Sequence, residues 1–155
     1  MKLFFLTTFA IFALDRISKV LAVKLLSGKV KVLIPGLLDL RVAENKGAAF
    51  SLLSEGNELV RKFFLIAVPV FVLLGITAYV LKRKPDSSVK FALGLIAGGA
   101  MGNLYDRVVY GKVVDFIDFH LGGWHYPTFN VADMAVSLGV LILIIFFRNE
   151  SVGRN

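Results

Sequence analysis

Between Val113 and Asp133 the chain reads VVDFIDFHLGGWHYPTFNVAD, which sets three carboxylates, Asp115, Asp118 and Asp133, between two strongly apolar segments. Ionised groups in such a place are costly unless paired or hydrogen-bonded, so acids there point to chemistry. Two carboxylates held close together cannot both ionise cheaply; one pKa rises and the pair shares a proton. Such a pair activates water. The ionised member takes a proton from the water while the protonated member polarises a carbonyl, and the roles then reverse to protonate a leaving amine. No covalent intermediate, metal or other cofactor is needed. Asp133 at the head of a helix and either Asp115 or Asp118 on the preceding connection fit this pair, and spacing alone leaves that choice open. Asp133 also has a structural role, because Asn130-Val-Ala-Asp133 has the spacing of a helix N-cap with an acid three residues on.

Other chemistries find less support. His120 and His125 stand near Asp118, but their spacing in a glycine-rich loop matches none of the usual zinc patterns, and no metal is expected. Trp124 and Tyr126 suit an interfacial aromatic belt. There is no Ser-x-x-Lys, Gly-x-Ser-x-Gly, His-Glu-x-x-His or P-loop arrangement. The absence of cysteine removes a thiol nucleophile, a thiolate metal site and disulfides. It also means that the chain cannot itself be lipidated on cysteine.

The elements that position these acids belong in lipid. The 155 residues are 57% hydrophobic, with a mean hydropathy of +0.75, above the usual apolar share of soluble domains. The net charge of +7 is scattered around apolar runs, which favours an anionic lipid surface over nucleic acid. Only Phe63 to Leu81 is a long uncharged apolar run; the other candidates need charged neighbours to complete a span. The expected fold class is an all-α polytopic membrane protein in one domain, 1–155. Four transmembrane helices are expected, at about 4–25, 62–81, 89–110 and 129–148, with a small β-sheet within 26–60 and a surface loop. Met1 to Leu14 has the look of a signal peptide, but no clean cleavage site follows it, so a first span is the better reading.

Within those spans, Asp15 and Lys19 are four apart and can pair on one helix face. Residues 24–62 read as two or three short strands lying on the membrane surface, with Asn45 and Gly47 as turn residues. Gly94, Gly98 and Gly102 repeat every four residues, the small-residue pattern that lets helices approach closely in lipid. Asn103, Asp106 and Arg107 then fall within about one helical turn. Arg107 and Lys112 either meet lipid phosphates or neutralise Asp106. Arg148 closes the last helix, and a disordered tail to Asn155 is expected. With four spans, the acids and the strand-rich loop meet at one membrane face. The basic cluster Lys82 to Lys84 with Lys90 places the opposite loop and both termini in the cytoplasm, although Lys29, Lys31, Arg41 and Lys46 weaken the count.

Asp15-Arg-Ile-Ser-Lys19, Asn45-Lys-Gly-Ala-Ala-Phe50, Gly102-Asn-Leu-Tyr-Asp-Arg107, Val113-Val-Asp-Phe116 and Phe129-Asn-Val-Ala-Asp133 together resemble the motif set of the lipoprotein signal peptidases, the type II signal peptidases of bacteria. The likeness covers almost the whole chain, in the same order, with no departure at a motif position. It implies a four-span inner-membrane aspartic peptidase with an extracytoplasmic sheet, cutting the signal peptide from a diacylglyceryl-modified prolipoprotein just before its lipidated cysteine. It assigns the catalytic pair to Asp115 and Asp133 and makes Asp118 secondary. It also makes Asp15, Lys19, Asn45, Gly47, Asn103, Asp106, Arg107 and Asn130 site supports. A monomer in contact with membrane lipid is expected, blocked by globomycin-like cyclic peptides. Two rival classes are a small proton-coupled membrane transporter, which would spread ionisable groups through the membrane depth, and a structural assembly partner, which would not need the acids.

Overall fold

The computed structural model of the chain describes residues 1–47 and 58–152. Four long helices carry it: α1 (Lys2–Leu26), α2 (Glu58–Arg83), α3 (Ser87–Tyr110) and α4 (Val131–Val152). A four-stranded antiparallel sheet in the order β1-β2-β3-β4 completes it, with β1 at Val30–Ile34, β2 at Leu38–Asn45, β3 at Val113–Leu121 and β4 at Trp124–His125. The fold is therefore mostly helical with a small sheet. Two of the helices, over Lys62–Arg83 and Val131–Arg148, are long and apolar enough to cross a membrane. Only 6% and 17% of their apolar windows are buried within the protein, which separates them from the core helices of a soluble domain.

The helices run past the apolar segments read from the sequence, because charged residues continue a helix without breaking it. Thus α4 passes Arg148 to Val152 instead of stopping there. Pro69 lies inside α2, as lipid-embedded helices tolerate. The glycines set the packing. A side chain on Gly94 or Gly98 would strike Thr7 or Ile11 of α1, and one on Gly99 would strike Ala132 of α4. Gly139 of α4 lies equally close to Ala92 of α3. So α1 and α4 both press on α3 through missing side chains, while α2 rests on α3 near the loop between them.

The sheet departs from the expectation most. It was placed within residues 26–60, but half of its strands, β3 and β4, come from the stretch that carries the acids. The physical reason lies in VVDFIDFHL, whose β-branched and aromatic residues favour a pleated, half-buried surface. The edge of β2 then pairs Leu40 with Ile117 and Ala43 with Asp115. Any third strand within 48–57 falls outside the described residues, as does the last of the tail, 153–155. Beneath the sheet, Phe116 packs on Ala22 and Leu26 at the end of α1, which seats β3 on the helix ends.

Candidate active site

Three elements converge where β3 leaves α3 and where α4 begins. Asn130 caps α4: Asp133 N–H donates to Asn130 Oδ1 at 3.0 Å, and Asn130 N–H donates to Asp133 Oδ2 at 3.2 Å. The exchange is a capping box in which the acid also satisfies an otherwise orphaned donor. Asn130 is fully buried and turns its amide toward β3, donating to Asp115 Oδ1 at 2.6 Å and to Asn103 Oδ1 at 3.1 Å. Asn103 in turn donates to Asp133 Oδ1 at 2.8 Å. Asp115 and Asp133 are thereby joined through Asn130, which contacts both, and through Asn103, which links Asn130 to Asp133.

The other oxygen of Asp115 accepts from Asn45 Nδ2 at 3.1 Å. Asn45 ends β2, and its own side-chain oxygen accepts the Gly47 N–H at 2.8 Å. Gly47 holds φ at +100°, a conformation few side chains adopt. The turn reading of these two residues and a site role therefore coincide. Burial pushes the Asp115 carboxyl up to about 6, opposed by the Asn45 hydrogen bond and reinforced by the charge of Asp133. Such an acid keeps its proton up to about pH 6, well above the ordinary carboxylate range.

Behind the pair lies a buried ionic cluster. Lys19 Nζ reaches Asp15 Oδ2 at 2.8 Å, Asp106 Oδ2 at 2.9 Å and Asn103 Oδ1 at 2.9 Å. Asp15, Lys19 and Asp106 are almost wholly buried. Asp15 Oδ1 accepts the Ala132 N–H at 3.0 Å, so a carboxylate of α1 meets the amino end of α4. Asp106 Oδ2 accepts the Val114 N–H at 3.2 Å and fixes the first residues of β3. Each of the two carboxylates touches the backbone of a strand or helix that carries one of the paired acids.

Sequence reasoning missed Arg16. Its guanidinium pairs with Asp106 Oδ1 and lies 4.5 Å from the centre of the Tyr105 ring. Among the described residues Asp106 is therefore ion-paired directly with Arg16 and Lys19, and not with Arg107 or Lys112. Lys112 pairs with Glu44 at 2.5 Å instead. The available signal was position: Arg16 follows Asp15 in the first motif, on the helix that must face Asp106. Arg107 stands within electrostatic reach of Asp133, Asp115 and Asp106, and its buried Nε has no hydrogen bond among the described residues. With Lys46 and Lys62 it lines a cavity of about 500 Å³.

Asp118 belongs elsewhere. It faces Asp39 across the strands and is held by Arg41 Nε at 2.8 Å and His125 Nδ1 at 2.9 Å. His125 stacks on His120 at 4.9 Å. Trp124 and Tyr126 are exposed beside them. This polar group braces the far end of the sheet.

Gly102 is required for the cluster. A Cβ there would run into the Asp15 carboxylate, which Lys19 and the Ala132 amide hold in place. Overpacking of this kind costs about 1–3 kcal/mol. Gly102→Ala is expected to lower the thermal unfolding midpoint in detergent, and an unchanged midpoint would mean that Asp15 shifts freely.

Comparison with known proteins extends over nearly the whole chain. A family model described as signal peptidase (SPase) II matches residues 7–148. A lipoprotein signal peptidase of Sulfurihydrogenibium sp. (strain YO3AOP1) is 41% identical over 150 residues, covering 94% of this chain and 92% of that protein. The lipoprotein signal peptidase of Aquifex aeolicus (strain VF5) is 41% identical over 145 residues, covering 92% and 85%. A bacterial membrane enzyme solved by the in meso method superposes with a TM-score of 0.82 at 28% identity, covering 97% of this chain and 90% of that one.

Proposed function

The chain belongs to the signal peptidase II family, and from that premise we propose that it is an intramembrane aspartic endopeptidase. It removes the signal peptide from diacylglyceryl-modified prolipoproteins, cutting on the N-terminal side of the lipidated cysteine. The observation that carries the reading is the pair Asp115 and Asp133, tied to each other through Asn130 and Asn103. Asp115, with its pKa raised to about 6 by burial, is the member that carries the shared proton. Asp133 is the base: it accepts from Asn103 and from the Asn130 N–H at a helix N-terminus, which favours a carboxylate. Asp133 takes a proton from water as the water oxygen attacks the scissile carbonyl, whose oxygen accepts a hydrogen bond from Asp115. The C–N bond then breaks, and the proton on Asp133 passes to the leaving amine. In this reading Asp15, Lys19 and Asp106 are positioning residues, Asn45 and Gly47 hold Asp115, and Arg107 orients the peptide or the lipid headgroup.

All four helices span the bacterial inner membrane in one peptidase domain. Both termini are cytoplasmic, and the sheet and the acid pair lie at the extracytoplasmic face. The enzyme works as a monomer, without metal, and globomycin-like cyclic peptides occupy the substrate's place at the acid pair. Apolar side chains cover the outer helix surfaces, Leu6 and Ile144 among them, which agrees with lipid contact. A proton-coupled transporter finds less support, since the ionic groups gather at one end of the helices.

The test is a gel-shift cleavage assay on the detergent-purified protein, comparing a diacylglyceryl-modified prolipoprotein with its unmodified form. Cleavage of the modified form alone, blocked by globomycin, is expected; no cleavage by a folded protein would overturn the reading. The pH profile adds a second check. The pair needs one proton, so kcat/KM should fall as pH rises through the upper apparent pKa, set near 6 by Asp115 in the free enzyme. Asn45→Ala removes a donor that favours the ionised carboxylate, so its falling limb should move to higher pH. A limb displaced to lower pH would contradict the assignment.

A further inference from the structure

A row of hollows runs from Arg107, which stands within electrostatic reach of the acid pair, toward the middle of the helices and forms a groove along α2. Its mouth is the cavity with Lys62, Ile66 and Arg107 in its wall. Lys62 and Ile66 also line a second hollow that reaches Val70. Val70 in turn lines a third cavity, of about 690 Å³, between α1 and α2 over α3. On α2 the shared residues Lys62, Ile66 and Val70 recur every four positions and so fall on one face, which Leu74 and Thr77 continue. On α3 the sequence Val108, Leu104, Met101 and Ala97 descends one face in the same way. The three hollows share lining residues and follow one another along α2, cationic at the end that holds Arg107 and Lys62 and apolar below it.

The walls decide what fits. Close helix docking in lipid uses small residues, and those of α3 and α4 are already used. Gly94 and Gly98 meet α1, and Gly99 and Gly139 join α3 to α4. The groove is walled instead by Phe5, Phe9 and Phe12 of α1, by Val70 and Leu74 of α2 and by Met101 of α3. Bulky rings and branched chains leave an uneven slot that a rigid helix fills poorly and that a flexible hydrocarbon chain can follow. The geometry points to this groove as the seat of an acyl chain of the substrate's diacylglyceryl group. The lipid's identity rests on the peptidase reading; the site itself rests on the groove.

The bilayer is as apolar as the groove, so the chain gains little from hydrophobic transfer. What it gains is register. A chain seated along α2 and α3 fixes the glyceryl thioether, and hence the adjoining scissile bond, against Asp115 and Asp133. The ester oxygens of the glyceryl group then lie at the cationic mouth, near Lys46 and Lys62. Misplacement by about 1 Å can cost up to about a hundredfold in rate, so register is worth more here than affinity.

Two measurements test the site. First, a modified prolipoprotein with a photoreactive diazirine at the end of one acyl chain is crosslinked to the Asp115→Asn protein, and the labelled residues are mapped by mass spectrometry. Labels on Phe9, Phe12, Leu74 or Met101 support the proposal. Labels on the outer face of α4, labels spread evenly over all helices, or capture of the same residues by a diazirine placed in the signal segment would overturn it. Second, Leu74→Trp and Thr77→Trp fill the groove far from the acids. Each should reduce kcat/KM for a dipalmitoyl-modified substrate by about tenfold and leave a dioctanoyl-modified one unchanged. Equal loss on both substrates, or on neither, would overturn it. Groove labelling in a protein that cleaves no substrate would instead overturn the peptidase reading and leave the lipid site standing.

Discussion

Asp115→Asn and Asp133→Asn are each expected to abolish cleavage, by about 10⁴-fold or more, while leaving a folded protein. The reason is proton bookkeeping at the pair. An amide is close in shape to the carboxyl that it replaces and keeps one acceptor oxygen, so one of the two hydrogen bonds that each acid accepts can re-form. It cannot accept a proton from water or pass one to an amine. The two acids act as one unit, so the double variant should be no worse than either single variant. Full activity in a folded Asp115→Asn protein would remove Asp115 from the chemistry. A transporter would instead lose a gradient-dependent flux on the same substitutions, and an assembly partner would lose nothing.

These variants also carry a stability signature. Asp115 has its pKa raised in the folded protein, so its contribution to stability is fully present below the unfolded value and is lost as pH rises through the folded one. The parent should therefore lose stability between about pH 4 and pH 6 through this group. Asp115→Asn should flatten that part of the curve. Thermal midpoints in detergent from pH 4 to pH 8, parent against variant, isolate the term from the histidines, which both proteins share.

Lys19→Met is expected to be the most damaging substitution for the fold. Lys19 is the shared cation of Asp15 and Asp106, and all three are almost wholly buried. Its removal leaves Asp15 without a counter-charge among the described residues, while Asp106 keeps Arg16. Breaking a buried pair by removing one partner costs about 3–5 kcal/mol. At this chain length that corresponds to a midpoint lower by roughly 6–20 °C. Lys19→Met with Asp15→Asn should recover part of the loss, because the uncompensated carboxylate goes with the cation. A single variant as stable as the parent would mean that water reaches Asp15.

Much of this was legible in the residues. Long apolar runs dictate helices in lipid because the backbone has no other partner there; four long helices appear, two of them long and apolar enough to cross a membrane. The four-residue glycine spacing foretold close helix contact, since it is a property of one helix face. The Asp15–Lys19 pair and the Asn130–Asp133 cap are local, separated by one turn or less, and local geometry is fixed by the covalent chain.

The sequence by itself thus determined which residue types are available for chemistry, which segments are apolar, and which near neighbours pair. The tertiary structure decided which carboxylate joins Asp133. Asp115 and Asp118 are three apart, and on a strand that spacing sends them to opposite faces. The stretch was not read as a strand, because its alternation is interrupted by acids and its partner, β2, lies about 70 residues away. Folding brings Asn45 and Asn130 to Asp115, and Arg41 and His125 to Asp118. The same holds for Arg16, whose partner Asp106 is on another helix. Contacts between distant segments depend on how the glycine faces set the helices against each other, and no spacing along the chain records that distance.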